Sequence, residues 1–453
     1  MKIRDGEIKW ILIIRPDAIG DCVLITPAIK ALRQRFPQAK ISVLAQKLTR
    51  AIFSTNPDVD EVLTDIREIS GKKFDLAIHY FNELPYALAS LRAGIKYRLG
   101  DPSKFPVGLL YNLKATQNWR DITKHDVEQN MRLLKPLGVE PPYPKLDLHI
   151  DPEALAKVEM LLRDNGIAPY DQIAGLHLST GKGNKPWNPK NFGGIANYLS
   201  QKGFKVIASG NEKDKELIMQ AQKTARGNLI DLSMKTDLKE LIALTSKYSL
   251  FIGVDTGPFH IAAALSIPMV YLSTSKFSLP LRWGPWRNRH VLIRKKSVCD
   301  LFCLPGSCDK DICASEITPD EVIEAIETLL SGGGNLTQDE AFFDWCKKCF
   351  SVMIAHRARN RARAEEIYKV LRRREFYAVM VDLDQKHDYQ KLFKTYNTNI
   401  VHAVDGSLWL RLQALVSGKS LIIPALYVKD VPEYRSFDDF FNLYCRSFAK
   451  SKL

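Results

Sequence analysis

Three short stretches of this chain hold residues whose types and spacing could do chemistry. In "RPDAIGDCVLITPAIKAL" a glycine, Gly20, stands between an apolar run and a helical pattern, followed at once by Asp21, with a second carboxylate, Asp17, four residues earlier. Gly20 permits a tight turn and Asp21 could cap the following helix. At the end of a strand the same carboxylate could instead accept a proton from an incoming hydroxyl. In "HLSTGKGNKPWNPKNF" a strand ends near Ser179, followed by Thr180, two glycines, Lys182 and Lys185, before a helix opens around Pro189. Backbone donors with a lysine suit a diphosphate, but the Gly-Lys-Ser/Thr ending of a Walker loop is missing. In "VDTGPFHIAAAL" a strand delivers Asp255, Thr256 and Gly257 to a helix that starts at Pro258, a residue suited to a first helical turn. Thr256 or Asp255 could cap that helix, its free N–H groups could hold an anion, and His260 could either pack on Asp255 or reach a ligand.

The elements around these stretches must bring them together. Up to about residue 155, "KWILIIR", "AKISVLAQ", "VDEVLT" and "FDLAIHY" read as strands, with a helix from about Asp21 to Phe36 and another in "LPYALASLRAG". Nearly continuous apolar strands alternating with helices predict a parallel sheet covered on both faces. "GVEPPYPKLDLHIDPEA" interrupts the rhythm with prolines and predicts a linker. The alternation then resumes in "QIAGLHLS", "FKVIASG", "LFIGVD" and "PMVYLS". The expected fold is α/β: two Rossmann-like doubly wound domains, at 1–150 and 151–330, and a basic α/β extension at 335–453. Ligands favour the C-terminal edges of such sheets, so Asp21 on one lobe should face the 179–185 loop and the 256–260 helix start on the other.

Taken together, Asp21 in "IGDCVLITPAIKALRQRFPQAKISVLA", Lys185 in its glycine-rich loop and "GVDTGPFHIAAAL" resemble the bacterial ADP-heptose:lipopolysaccharide heptosyltransferase family, over residues from about 9 to 330. The resemblance implies inverting, metal-independent transfer in a GT-B arrangement, with 1–150 on the acceptor side and 151–330 binding the nucleotide sugar. It implies Asp21 as general base; Ser179, Thr180 and Lys185 on the donor diphosphate; Asp255, Thr256 and Gly257, with His260 beside them, on the donor sugar and phosphates; and Trp187 as part of the same pattern. The implied partners are a nucleotide sugar, ADP-heptose or a relative, and a lipopolysaccharide core or other lipid-linked glycan. No cofactor is required for transfer. Another nucleotide sugar or acceptor, or a catalytically silent nucleotide-sugar-binding protein, stays open. An epimerase or NAD-dependent oxidoreductase is disfavoured, because "RPDAIGD" lacks the three-glycine dinucleotide fingerprint.

The composition agrees with contact to something anionic: 65 Lys and Arg against 51 Asp and Glu leave a net charge of +14. The segment from Ala355 to Phe376, with eight Lys or Arg and three Glu, could lie on an anionic membrane surface. It lacks interleaved aromatic platforms, so no nucleic acid is expected. No apolar run of signal-peptide or membrane-span type appears, and the expected location is cytoplasmic, peripheral at the inner face of the inner membrane if that basic segment docks. Four of the eight cysteines, Cys299, Cys303, Cys308 and Cys313, fall within fifteen residues and could hold a structural Zn or Fe. The absence of a tight Cys-x-x-Cys pair among them weighs against a metal, and Cys346 and Cys349, which do form one, could simply lie on a helix surface. Near the end of "FDLAIHY", His79 and Tyr80 could touch an acceptor.

Overall fold

The computed structural model describes residues 6–117, 124–140, 144–180, 186–274, 280–295 and 312–334, and the backbone of strands at 351–356, 377–382, 400–403 and 422–423. Two compact units result. The first comprises Met1–Val298 with Lys310–Phe342, the second Cys299–Asp309 with Phe343–Leu453.

The first unit holds two six-stranded parallel sheets. One is built from β1 (Trp10–Ile14), β2 (Lys40–Leu44), β3 (Glu61–Leu63), β4 (Leu76–His79), β5 (Tyr97–Gly100) and β6 (Leu113–Lys114), in the order β3-β2-β1-β4-β5-β6. The other is built from β7 (Ile173–Leu176), β8 (Lys205–Ala208), β9 (Ile230–Asp231), β10 (Leu250–Gly253), β11 (Met269–Leu272) and β12 (His290–Ile293), in the order β12-β11-β10-β7-β8-β9. Counted from its own first strand, each sheet has the order 3-2-1-4-5-6, the doubly wound plan. The strand order reverses between β1 and β4 and between β7 and β10, and there the crevice at the carboxyl edge opens. Asp21 follows β1, Ser179 follows β7 and Thr256 follows β10.

Most strands that sequence patterning predicts are continuously buried, such as Ile11 to Ile14 and Leu250 to Gly253, while β3, also predicted, is half-buried. The short strands β5, β6, β9 and β12 carry little periodic signal. The helix expected from Asp21 to Phe36 is two helices, Ile19–Val23 and Thr26–Arg35. Pro27 has no N–H to give the carbonyl four residues back, and the Thr26 hydroxyl donates to Val23 O instead, at 2.8 Å. That hydroxyl also accepts from Asp147 N at 3.0 Å, tying the proline-rich connection to the break.

One apolar cluster runs from Ile13, Leu24 and Ile29 to Phe259, Ile261 and Tyr271, so the two sheets share a core. The closest approach is made by two glycines. A Cβ on Gly257 would lie 2.8 Å from Ile19 Cβ, and a Cβ on Gly20 would lie 2.6 Å from His260 Cδ2. Hydrogen atoms in these places let the helix Ile19–Val23 rest against the helix Gly257–Ala264. The polar contacts follow the same seam. His125 Nε2 meets Gly284 O at 2.9 Å, and Arg282 Nε donates to Asp126 at 3.4 Å. His125 Nδ1 accepts from Val127 N, so the ring is the neutral Nε2–H tautomer, and burial holds its pKa down at about 3.

The second unit contains a four-stranded parallel sheet of β13 (Ser351–His356), β14 (Tyr377–Asp382), β15 (Ile400–Ala403) and β16 (Ile422–Ile423), ordered β14-β13-β15-β16. The sequence points to β14 and β16 but not to β13 or β15. Ala355 and His356, read from sequence as the start of a basic helical segment, belong to β13, and residues 357–376 lie outside the described residues.

Substituting Gly257 by Ala should force Ile19 aside and lower stability by about 1–3 kcal/mol, with a matching fall in the midpoint of chemical denaturation. Ala at Gly194, where nothing lies within 4 Å of the new Cβ, should leave that midpoint within about 0.5 kcal/mol or raise it slightly.

Candidate active site

The side chain at the end of β1 organises the first half of the site. Arg15 is 3% exposed. One guanidinium nitrogen donates to Tyr80 O at 2.8 Å, fixing the group to the end of β4, and the other donates to Asp21 Oδ1 at 2.5 Å. Asp17 stands 3.8 Å from that second nitrogen. Asp21 is therefore no helix cap. The cap position is Ala18, Asp21 sits inside the first turn, and its carboxylate turns to Arg15. About a third of the Asp21 side chain stays open to solvent. Burial raises its pKa to about 6 against the pull of Arg15, while Asp17 and Asp126 push it up and His260 draws it down. Asp126 is itself buried, and its carboxyl is held above the usual range by that burial.

The second half of the site comes from β10 and the helix after it. Thr256 occupies the cap position but makes no side-chain cap; its hydroxyl donates to Val254 O at 3.1 Å. The helix start thus carries Pro258 and first-turn amides that its cap side chain does not occupy. His260 takes the packing role: its ring is 4% exposed, Nε2 meets Asp255 Oδ1 at 3.1 Å, and the ring covers Gly20. This ring joins the donor-side helix to the turn that carries Asp21.

The loop after β7 contributes Ser179 and Thr180, both half-buried. His177 lies beneath, and burial lowers its pKa. Nδ1 faces Ser209 O at 3.3 Å and Nε2 faces Ser179 Oγ at 3.0 Å. A carbonyl only accepts, so the neutral ring donates from Nδ1 and the Ser179 hydroxyl donates to Nε2. Ser179 then offers lone pairs and no proton to a ligand. Lys182 and Lys185 lie outside the described residues. Trp187, two residues beyond Lys185, is fully buried; its Nε1 donates to Ile317 O at 2.8 Å and its ring packs edge-on to Phe192. It anchors the far end of the lysine-bearing loop in the core.

His79 and Tyr80 are buried and do not line an open edge. His79 stacks near Tyr111, with burial lowering its pKa to about 3, and the Tyr80 hydroxyl donates to Asn130 O at 3.2 Å. Of the cysteine cluster, Cys299, Cys303 and Cys308 lie outside the described residues, as do Cys346 and Cys349, while Cys313 is a half-buried free thiol. Among the described residues no group of three or more His, Cys, Asp or Glu is placed to hold a metal, and no helix is long and apolar enough to cross a membrane. Arg15 escapes the sequence reading, although an arginine directly after the apolar run of β1 is the signal for it. His125, Asp126 and Arg282 give none, because their partners come from the other sheet.

The family profile described as glycosyltransferase family 9 (heptosyltransferase) matches residues 63–302. Lipopolysaccharide heptosyltransferase 3 of Escherichia coli K12 is 26% identical over 301 residues, covering 60% of this chain and 84% of that protein. Among solved structures, a glycosyl transferase family 9 protein from Veillonella parvula has a TM-score of 0.65 at 20% identity, covering 73% of this chain and 99% of its own. E. coli ADP-heptose lps heptosyltransferase II has a TM-score of 0.59 at 23% identity, covering 71% and 98%. Both share the two-sheet fold.

The committed Ser179 proton makes a specific prediction. Ser179→Ala should change the affinity for ADP, measured by calorimetry, by less than about threefold, whereas loss of a donor to a charged phosphate would cost roughly tenfold or more.

Proposed function

Since the chain belongs to glycosyltransferase family 9, the heptosyltransferases, we propose that it moves a heptose from ADP-heptose to a lipopolysaccharide-core or similar lipid-linked glycan, with Asp21 as the general base. The observation that carries this reading is the Asp21 carboxylate itself. It is clamped by Arg15, a third exposed, and set beside a helix start of the other sheet whose amides are not capped by a side chain. A carboxylate held in one orientation can take the proton of an acceptor hydroxyl as that oxygen attacks the anomeric carbon. The bond from that carbon to the diphosphate oxygen breaks on the opposite face, which inverts the configuration.

The departing diphosphate gathers negative charge, and the first-turn amides of Gly257–Ala264 together with Lys185 stabilise it. By the same reading Thr180, Asp255 and Thr256 contact the donor sugar and phosphates. His260 keeps its position by bridging Asp255 and Gly20. The pKa of Asp21 suits the work: a carboxylate near 6 is a stronger base than one near 4, yet is ionised at neutral pH. Its folded pKa of about 6 lies above the ordinary 3.8. The group's contribution to stability is therefore full below about pH 4 and is lost as pH rises through 6, so ionising it for catalysis costs stability.

A panel of nucleotide sugars offered with a core-oligosaccharide acceptor tests the assignment. ADP-heptose should release ADP and extend the acceptor; if no nucleotide sugar is bound or consumed, the assignment falls. Asp21→Asn should lower kcat by roughly 10²–10⁴ with little change in ADP affinity. The acidic limb of the kcat profile should turn near pH 6 and should move upward by roughly one pH unit or more in Arg15→Met, which removes the cation that holds Asp21 ionised. Arg15→Lys should bring part of that limb back.

A further inference from the structure

Within the first sheet's half of the molecule, the large apolar side chains left in solvent are not scattered. Among the described residues they are Leu48, Leu84, Leu91, Phe105 and Leu109. Leu48 lies in the turn after β2, Leu84 opens the helix that follows β4, and Phe105 lies early in the loop after β5, with Leu109 farther along the same loop as it returns toward β6. In a parallel sheet all strands end at one edge, so Leu48, Leu84 and Phe105 share the rim that carries Asp21, after β1. In the second sheet's half the exposed set is Met160, Tyr170, Met219, Met234 and Leu330, and of these only Met234 follows a strand end.

The loop after β5 is not loose chain that happens to expose a phenylalanine. The buried Asp101 carboxylate accepts from Ser103 N at 2.8 Å and Gln117 N at 2.9 Å. Asn82 Nδ2, just past β4, donates to Asp101 O at 3.0 Å, and Gly108 N donates to Lys104 O at 2.8 Å. Gly108 packs so closely on Pro102 that a Cβ there would lie 2.3 Å from its carbonyl oxygen. Val107 and Tyr111 are buried beside Ala87. On this fixed base Phe105 is 81% exposed and Leu109 69% exposed, with Leu48 60% exposed across the rim. A built loop that holds large apolar groups in water marks an interaction surface. Its charge selects the partner: Lys47 and Arg50 are exposed beside Leu48, while Lys104, beside Phe105, is paired with Glu83. Single apolar side chains flanked by cations match the boundary between anionic headgroups and acyl chains. A protein interface would present a contiguous apolar core depleted of lysine.

We propose that this rim is a membrane-docking surface, seating Phe105, Leu109 and Leu48 in the headgroup–acyl boundary of an anionic bilayer with Lys47 and Arg50 against the lipid phosphates. It rests on the reading that the acceptor is lipid-linked, and it explains how such an acceptor's hydroxyl reaches Asp21 without leaving the bilayer.

The test uses the full chain and sedimentation with phosphatidylglycerol-containing vesicles. The double variant Phe105→Ser/Leu109→Ser should bind them at least about tenfold more weakly than the parent, and Lys47→Glu/Arg50→Glu should weaken binding further at low salt than at high salt. Because all four side chains are exposed, the thermal midpoint and ADP affinity should not move. Transfer to acceptor presented in vesicles should fall, while transfer to the deacylated, soluble acceptor should not. Undiminished vesicle binding by the double variant overturns the proposal, as does a change in its oligomeric state by light scattering with vesicle binding intact, which would make the rim a protein contact. Failure of the transferase reading shows separately, as absence of turnover with the soluble acceptor.

Discussion

Everything at the candidate site depends on how near two helix starts can come. The turn after β1 and the helix after β10 belong to different sheets, and they touch because Gly20 faces His260 and Gly257 faces Ile19. A methyl group at either position would meet atoms well inside van der Waals contact. That approach places a carboxylate and an uncapped helix start side by side without any direct bond between them. Ion pairs and hydrogen bonds along the seam, Asp126 with Arg282 and His125 with Gly284, then set its orientation. The apolar cluster shared by both sheets supplies the bulk of the attraction, being the largest continuous surface withdrawn from water.

The cost of this arrangement is concentrated in charge. Among the described residues, Arg15 is buried with one nitrogen, Nε, lacking a partner, and Asp126 is buried and meets Arg282 at 3.4 Å. Buried charges of this kind rarely add stability. What they supply is position. Arg15 spans Tyr80 O and Asp21, linking the ends of β4 and β1 at the point where strand order reverses, so the carboxylate has one orientation relative to the sheet. The raised Asp21 pKa follows from the same burial, and Arg15 keeps that rise from going further. A carboxylate sunk without its arginine would be neutral at working pH, and one left fully in water would be a weak base.

Neutral histidines make the supporting layer. His125 and His177 are both buried, and each is fixed in one tautomer by a carbonyl on one side of the ring. His177 thereby holds the Ser179 hydroxyl proton, which changes what that serine can offer an anion. His260 works differently, pairing with Asp255 while its ring fills the space over Gly20. In each case the ring serves as a rigid hydrogen-bonding spacer between elements that are far apart in sequence.

Much of this was legible in the sequence because it is local. Continuous apolar runs such as "WILII" and "LFIG" identify central parallel strands, since only a strand buried on both faces is apolar throughout. Gly20-Asp21 and Asp255-Thr256-Gly257 identify turns at strand ends, since glycine and proline punctuate the chain whatever surrounds it. Alternation and right-handed crossovers point to doubly wound parallel sheets, while the 3-2-1-4-5-6 order of each comes from the tertiary structure. Tertiary structure alone decided the rest. Asp21 turns to Arg15 and Thr256 bonds backward to Val254, local choices that residue type leaves open, whereas His260 packs on Gly20 from the other sheet. His79 and Tyr80 look poised at an edge, yet they are buried because Tyr111 and Asn130 come over them. Periodicity reports the face a residue occupies; for His79, Tyr80 and the ring of His260, the partner met there is set by packing between segments more than thirty residues apart.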